Sequence, residues 1–491
     1  MRAGPFVLPE SAAMTTPDVL VMAAYFAAVI GIGLHFSRRQ RDASDYFLGR
    51  HTLPWWAIML SIVATETSAL TVISVPGIAA RGNYTFLQLP IGYLIGRVGV
   101  AAWLLPGYFR GDQETAYTRL GTRFGPTTQR SASALFMVIR ALGDSVRVFA
   151  TAIPLAIVTG WSIPVSVLVV AVATLAYTVA GGLRAVVWVD VVQTALYVIG
   201  GVATLLVAAA LVGGLEPIVA RAAAAGKLRI FEWHFSFDVT YTFVGAVVGG
   251  ALLSAASHGT DHLIVQRLLA TRSLRDARKA LVGSGVLVIA QFALFLFVGT
   301  ALWAAGADDA ALSGDQLYPT FVVHQLPAGL AGLVVAGLLA AAMSTVSSSL
   351  NALASATTHD FYAPLTGRNA PTHLLKVGRL ATVGWAIVLA GGALAFRSDD
   401  QPVVELALSI ASITYGGLLG TYILGGFSAL RERHAVTALA TATVTMLIVV
   451  LAKPWIFATL AWPWYVPLGT LVTLTVGWVA GSVWVRPGER A

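Results

Sequence analysis

Long apolar runs alternate with short polar links along almost the whole chain. Thirteen runs, near 19–36, 54–79, 85–107, 131–159, 163–181, 185–213, 239–261, 279–305, 328–352, 374–396, 403–428, 435–452 and 464–485, are each long enough to cross a hydrocarbon layer of about 30 Å with some tilt. In lipid the backbone must satisfy its own hydrogen bonds, so the pattern predicts an all-α, polytopic membrane protein of about thirteen transmembrane helices. No long polar segment interrupts the runs, so residues 1–491 are expected to form a single membrane domain without a soluble module.

Polar residues inside the runs are the informative exceptions, because a charge at the bilayer centre costs about 2.5–3.5 kcal/mol on insertion scales. "SIVATETSALT" (Ser61–Thr71) places Glu66 among hydroxyls in the second run. Such a stretch fits a helix broken at mid-depth, with carbonyls freed for an ion. The alternative, hydroxyls bonded back to their own helix, leaves Glu66 unexplained. "IRALGDSVR" puts Arg140, Asp144 and Arg147 on one helical face, either as a structural ladder or with one guanidinium left for an anionic solute. Asp190, in "VVWVDVVQ", either pairs with an arginine such as Arg184 or binds a cation. "GGALLSAASHGTD" (Gly249–Asp261) interrupts the seventh run, five runs after the first interruption; paired interruptions of this kind point to inverted repeats around a central site, whereas small residues alone permit close packing. In "AAMSTVSSSLN" (Ala341–Asn351), Ala341, Ser344, Thr345 and Ser348 form one stripe, Ser347 widens it, and Ser349 reads as ordinary packing. An all-oxygen stripe suits a hard monovalent cation.

Composition narrows the classes. The chain is 57% hydrophobic and 11% charged, with a mean hydropathy of +0.78. The net charge of +8 needs no nucleic-acid partner. With the N-terminus outside, 21 of the 31 Lys/Arg fall in cytoplasmic loops or tails and 7 in external ones, an asymmetry that predicts N-out and C-in topology. The other three, Arg97, Arg140 and Arg147, lie inside runs. There is no cysteine, and the histidines lie mostly in loops, so neither a thiolate nor a zinc site is expected. Neither GxxxxGK[ST] nor GxSxG occurs, which sets aside a P-loop and a nucleophile elbow. The first run lacks a preceding basic cluster and does not read as a cleavable signal; Met1 and Met14 are both possible starts.

Four segments in order, "DYFLGRHTLPWW" (Asp45–Trp56), "YTVAGGLRAVVWVDVVQ" (Tyr177–Gln193), "GTDHLIVQRLLA" and "MSTVSSSLNALASATTHDFY", resemble the sodium:solute symporter family, and the likeness covers about residues 18–430. The resemblance implies a core of two inverted five-helix repeats of the LeuT type, here 54–213 and 239–428, with 19–36 and 435–485 peripheral. It implies one Na+ site from the carbonyls of Ala64 and Thr67 with Ala341, Ser344 and Thr345. Some members, the sialic-acid symporters among them, imply a second Na+ at Asp190 with Ser344, Ser347 and Ser348. Ser68, Thr71 and Ser254 match substrate-facing positions, Glu66 matches a carboxylate of proline symporters, and Arg140 and Arg147 straddle a substrate-clamping arginine.

The expectation is therefore a non-enzymatic, sodium-coupled symporter of a small solute in the inner membrane, surrounded by lipid, acting as a monomer and co-transporting Na+, two ions per cycle. A proton-coupled carrier using Glu66 or Asp190, and an uncoupled channel or sensor, remain alternatives. Family members carry sugars, amino acids, vitamins, monocarboxylates, inorganic anions and sialic acids, so the solute stays open.

Overall fold

The computed structural model describes residues 15–37, 42–67, 69–111, 113–307, 312–396, 403–452 and 460–483. Ser68, Met1 and Met14 lie outside them. Among the described residues the chain is helical, with one isolated β-bridge, Leu53 to Thr271.

The membrane helices are α1 (Thr16–Ser37), α2 (Trp55–Glu66), α3 (Ala69–Arg81), α4 (Gln88–Gly99, continued by a π turn to Tyr108), α5 (Pro126–Thr159), α6 (Ile163–Val212), α7 (Phe243–Gly259), α8 (His262–Leu269), α9 (Leu274–Ala304), α10 (Leu330–Ala356), α11 (Pro371–Ala395), α12 (Val403–Leu424), α13 (Glu432–Leu451) and α14 (Tyr465–Val483). Among the described residues, eight helical runs are long and apolar enough to cross a membrane, or up to ten if each bent pair is one span. Three further passes escape that test for physical reasons. Helix α5 carries the Arg140–Asp144–Arg147 charges, the apolar stretch of α12 is short, and α6 is two passes in one run.

Helix α6 turns at Gly182, whose φ of 56° and ψ of −158° interrupt the helix. Tyr177 and Asp190 lie on either side of that turn, yet the Tyr177 hydroxyl bonds the Met343 carbonyl and Asp190 accepts from Ser344. In a straight helix thirteen residues would separate them by about 20 Å, so the two halves fold back against one turn of α10.

Two passes are broken. Helices α2 and α3 meet at 62°, and α7 and α8 at 58°. Thr67 closes α2 with φ −80° and ψ 86°, outside helical geometry. Asp261 starts α8, its side chain accepting from the Leu263 amide at 2.9 Å. The sequence placed the seventh span at 239–261; the structure breaks it at that end and continues to Leu269. The link left between the seventh and eighth runs thus begins with a helix, in which Arg267 is fully buried. Helices α4 and α7 approach closely through Gly92 and Gly96, where a Cβ would come within 2.4 Å and 2.2 Å of the Val247 and Ala251 carbonyl oxygens. That contact brings α4 against the bent α7/α8 pass.

Candidate functional site

The two bent passes enclose, with α4, α5, α9 and α12, a cavity of about 140 Å³. Glu66, Thr71, Arg140, Arg147 and Ser254, five of the six residues expected to meet solute, line it together. The sixth, Ser68, is outside the described residues.

The two arginines are not equivalent. Arg140 is bound by Asp261 across the cavity wall, by the Tyr415 hydroxyl at 3.1 Å, and lies 3.6 Å from Asp144. Arg147 is more exposed and bonds Asp144 at 2.8 Å. Both charges on Asp144 and Asp261 are therefore matched by guanidinium groups, and Arg147 retains donors toward the cavity. Ser349, expected to be packing, donates its hydroxyl to the other Asp144 oxygen. This is a correction: Ser349 faces α5, where a buried carboxylate needs every donor it can find. Glu66 pairs with Arg97, which also donates to Ser284 at 2.7 Å.

Behind the cavity lies a closed polar cluster. Asp190 accepts from Ser344 at 2.6 Å and from Ser61 at 2.5 Å, and Arg267 lies 3.3 Å from it. The same guanidinium donates to Ser61 at 2.8 Å and to Ser348. Arg184, offered by the sequence as partner of Asp190, instead pairs with Asp45 at 3.4 Å and bonds the Gly49 carbonyl. The correction follows from the turn at Gly182, which leaves Arg184 beside the 42–51 segment. Ser347 returns its hydroxyl to the Ser344 carbonyl at 3.0 Å, and Ser348 meets Thr65 at 3.1 Å.

Between the two regions, the end of α2 touches α10. Thr345 lies 3.4 Å from both the Thr65 and Ala341 carbonyl oxygens. Ala64, Thr67, Ala341, Ser344 and Thr345 are all buried. Thr67 exchanges hydrogen bonds with Gln291 at 2.7–3.0 Å. The donor set at this junction is hydroxyl and carbonyl oxygen, which suits Na+ as a transported ion. Among the described residues, no group of three or more His, Cys, Asp or Glu could hold a transition metal.

The sequence pattern of the sodium:solute symporter family matches residues 46–452. The chain belongs to the sodium:solute symporter family. It is similar to a sodium/sialic acid symporter of Aliivibrio fischeri, 28% identical over 486 residues, covering 96% of this chain and 94% of that protein. A sodium/sialic acid symporter of Proteus mirabilis is 28% identical over 445 residues, 88% of each chain. The fold matches a Na+-coupled sialic acid symporter, solved substrate-bound and outward-open with a novel Na+ site, at a TM-score of 0.86 and 26% identity over 96% of this chain and 98% of that one. The architecture is thus the LeuT-type transporter fold, and the protein is a multi-pass, Na+-coupled solute symporter rather than an enzyme.

Sequence reasoning missed several residues of this symporter's polar interior. Arg97 was visible as a charge inside a span, and such a charge demands a partner; Glu66 supplies it. Thr65 sits inside a segment already singled out. The pairings of Arg267, Asp261 and Tyr415 had no local signal, since the partners are 77 to 154 residues away in sequence.

Proposed function

We propose that this symporter imports a small organic anion with two Na+ per cycle by alternating access across the inner membrane, N-terminus outside and C-terminus inside. The observation that carries the reading is Arg147, a guanidinium lining the cavity between the two bent passes with donors left over beyond its bond to Asp144. With Arg147 counted, the cavity wall is formally neutral: Arg140 and Arg147 offset Asp144 and Asp261, and Arg97 offsets Glu66. A carboxylate entering such a space brings an uncompensated charge, and a neighbouring Na+ compensates it, which is a physical reason for coupling.

In this reading Ala64, Thr67, Ala341, Ser344 and Thr345 hold one Na+ and join α2 to α10. Asp190, with Ser344, Ser347 and Ser348, receives the second after Arg267 withdraws from it. Ser254, Thr71 and Glu66 face the solute with Arg147, while Arg140 fixes the wall. Residues 54–213 and 239–428 are the two inverted repeats, each with a bent opening pass, and 19–36 and 435–485 are peripheral. The functional unit is a monomer. Two Na+ with a monoanion move one net charge, which contributes about 2.3 kcal/mol across 100 mV and so sustains a gradient of roughly 50-fold before the sodium gradient is counted. The sialic-acid relatives make N-acetylneuraminate the first probe.

The test is uptake into proteoliposomes. Electrogenic uptake of labelled N-acetylneuraminate or another carboxylate, driven by an inward Na+ gradient, is expected. Sodium-independent uptake driven by a pH step would overturn sodium coupling in favour of protons; saturable, electrogenic uptake excludes a channel.

A further inference from the structure

The link between α6 and α7 turns a row of apolar side chains outward. Residues 229–236 form neither helix nor strand. At every second position from 231 to 239 an apolar side chain stands in the open: Phe231, Trp233, Phe235, Phe237 and Val239 are between 41% and 68% exposed. Rings two positions apart touch, with Phe231 stacked on Trp233 at 5.3 Å and Phe235 edge-on to Phe237 at 5.0 Å. That period of two belongs to an extended chain with one apolar face. The residues between are polar. The Glu232 amide donates to Gln88 Oε1 at 3.1 Å and its carboxylate pairs with Arg229, Ser236 is buried and donates to Asp238, and His234 is exposed. Backbone bonds pin the strap at three places. The Tyr84 amide donates to the Arg229 carbonyl at 3.0 Å, the Phe243 amide to the Glu232 carbonyl at 2.7 Å, and the Ala461 amide to the Phe237 carbonyl at 2.7 Å. The outward rings are therefore held in place by the fold.

A contiguous exposed apolar surface marks a contact site. The strap leads into α7, where Val244 and Val248 are also exposed, and it follows the exposed Leu211 of α6 and the exposed Leu215 and Val219 of the short helix Leu215–Ala224. The apolar surface thus continues from one membrane helix, through the strap, to the next. Trp464, at the start of α14, packs against Phe235 and Phe237 at 6.0 Å and 5.0 Å, so the strap lies level with the ends of two membrane helices. Aromatic rings alternating with polar residues at that level match the headgroup boundary of a bilayer, where the rings are buried and the polar groups stay wet. We propose that residues 229–239 lie on the membrane as an aromatic strap, with their rings in the headgroup boundary of the outer leaflet. A protein partner fits less well: a stable interface takes roughly 800 Å² per partner, and five partly exposed side chains in a single row fall short of that. The strap also reaches the solute cavity. The Tyr241 ring meets Phe86 at 5.4 Å, Phe86 lines the cavity, and Gln88 Nε2 donates to the Tyr241 carbonyl at 2.9 Å. The membrane contact thereby holds the Phe86 side of the cavity. Only the choice of leaflet rests on the proposed N-out topology.

The chain has no cysteine, so a single introduced thiol reports alone. Trp233→Cys, Phe235→Cys, Phe237→Cys, His234→Cys and Asp238→Cys are each labelled with bimane and placed in phosphatidylcholine nanodiscs whose acyl chains are brominated near the headgroup. Bromine quenches on contact, and an interfacial segment sinks only about 5–10 Å, so labels at 233, 235 and 237 should be quenched at least about twofold more than those at 234 and 238. Trp233→Phe keeps a ring and should lose part of the intrinsic tryptophan quenching by the same lipid, a reading that stands even where a cysteine variant does not fold. The inference is overturned if no label is quenched, if 234 and 238 are quenched as strongly as the ring positions, or if Trp233→Phe changes nothing. It is also overturned if the ring positions escape bromine yet are shielded from dissolved iodide, which would place protein over the strap. The leaflet is read separately. Asp238→Cys should react with an impermeant thiol reagent from outside intact expressing cells. Reaction only from the cytoplasmic side would overturn the proposed topology, and the outer leaflet with it, while bromine quenching would still support the strap.

Discussion

Two polar regions lie a few residues apart on α2 and obey opposite rules. Around Asp190 the groups satisfy one another: Ser61, Ser344 and Arg267 serve the carboxylate, and Arg267 also serves Ser348. Around Glu66 and Arg147 the groups line an open cavity, where Arg147 keeps donors beyond its bond to Asp144. A closed cluster holds helices together and must be opened before an ion enters it. A cavity wall with spare donors needs no such opening. The difference supports the proposed placing of solute in the cavity, and any ion at Asp190 would compete with a guanidinium.

The strongest way to break this comparison is to remove that guanidinium. Arg267→Gln leaves Asp190 buried without its countercharge, and should lower unfolding stability by about 3–5 kcal/mol in detergent. Adding Asp190→Asn should recover much of the loss; a single variant as stable as the parent would show that the pair does not hold the cluster. Next come the two arginines of α5. Arg147→Gln should weaken Na+-driven uptake about 10–100-fold with normal folding, the size of a lost charge-assisted bond. Arg140→Gln should instead reduce the yield of folded protein, because Asp261 and Tyr415 lose their shared partner. The reverse pattern would exchange the two assignments.

A smaller effect is expected from Asp190→Asn, measured as Na+ per charge in uptake currents and as the sodium dependence of stability. It should lower the stoichiometry toward one ion or weaken sodium affinity about tenfold, roughly 1.4 kcal/mol; unchanged values for both would remove the second ion. The smallest contrast is within one helix. Ser344→Ala should weaken sodium binding, whereas Ser349→Ala should cost about 1 kcal/mol of stability and leave sodium affinity alone, since its hydroxyl serves Asp144. Equal effects on sodium would mean that both hydroxyls are structural.

The legible and illegible parts of this site divide by distance along the chain. Glu66 and the Ser344–Ser349 hydroxyls announced themselves because a charge or a polar stripe within an apolar run needs a local explanation. The break near Thr67 was readable from the same stretch. The break at Thr260–Asp261 is legible only as an interruption, because "HLIVQRLL" beyond it is too short to register as a span. By sequence Arg267 falls in the link between two runs, although in the fold it closes a fully buried polar cluster with Asp190.

The sequence by itself determined the helical membrane class, the family, and the candidate residues for ion and solute, because hydrophobic period and motif are properties of neighbouring positions. Only the tertiary structure decided how those residues are used: that Arg140 is bound to Asp261 while Arg147 lines the cavity, that Asp190 meets Arg267 rather than Arg184, and that Nε2 of His258 lies 3.7 Å from Glu66. These choices depend on the Gly182 turn and on bends of about 60° in two passes, which bring together groups far apart in sequence. In a low-dielectric interior each charge takes the partner that packing places beside it, and no local pattern names that partner.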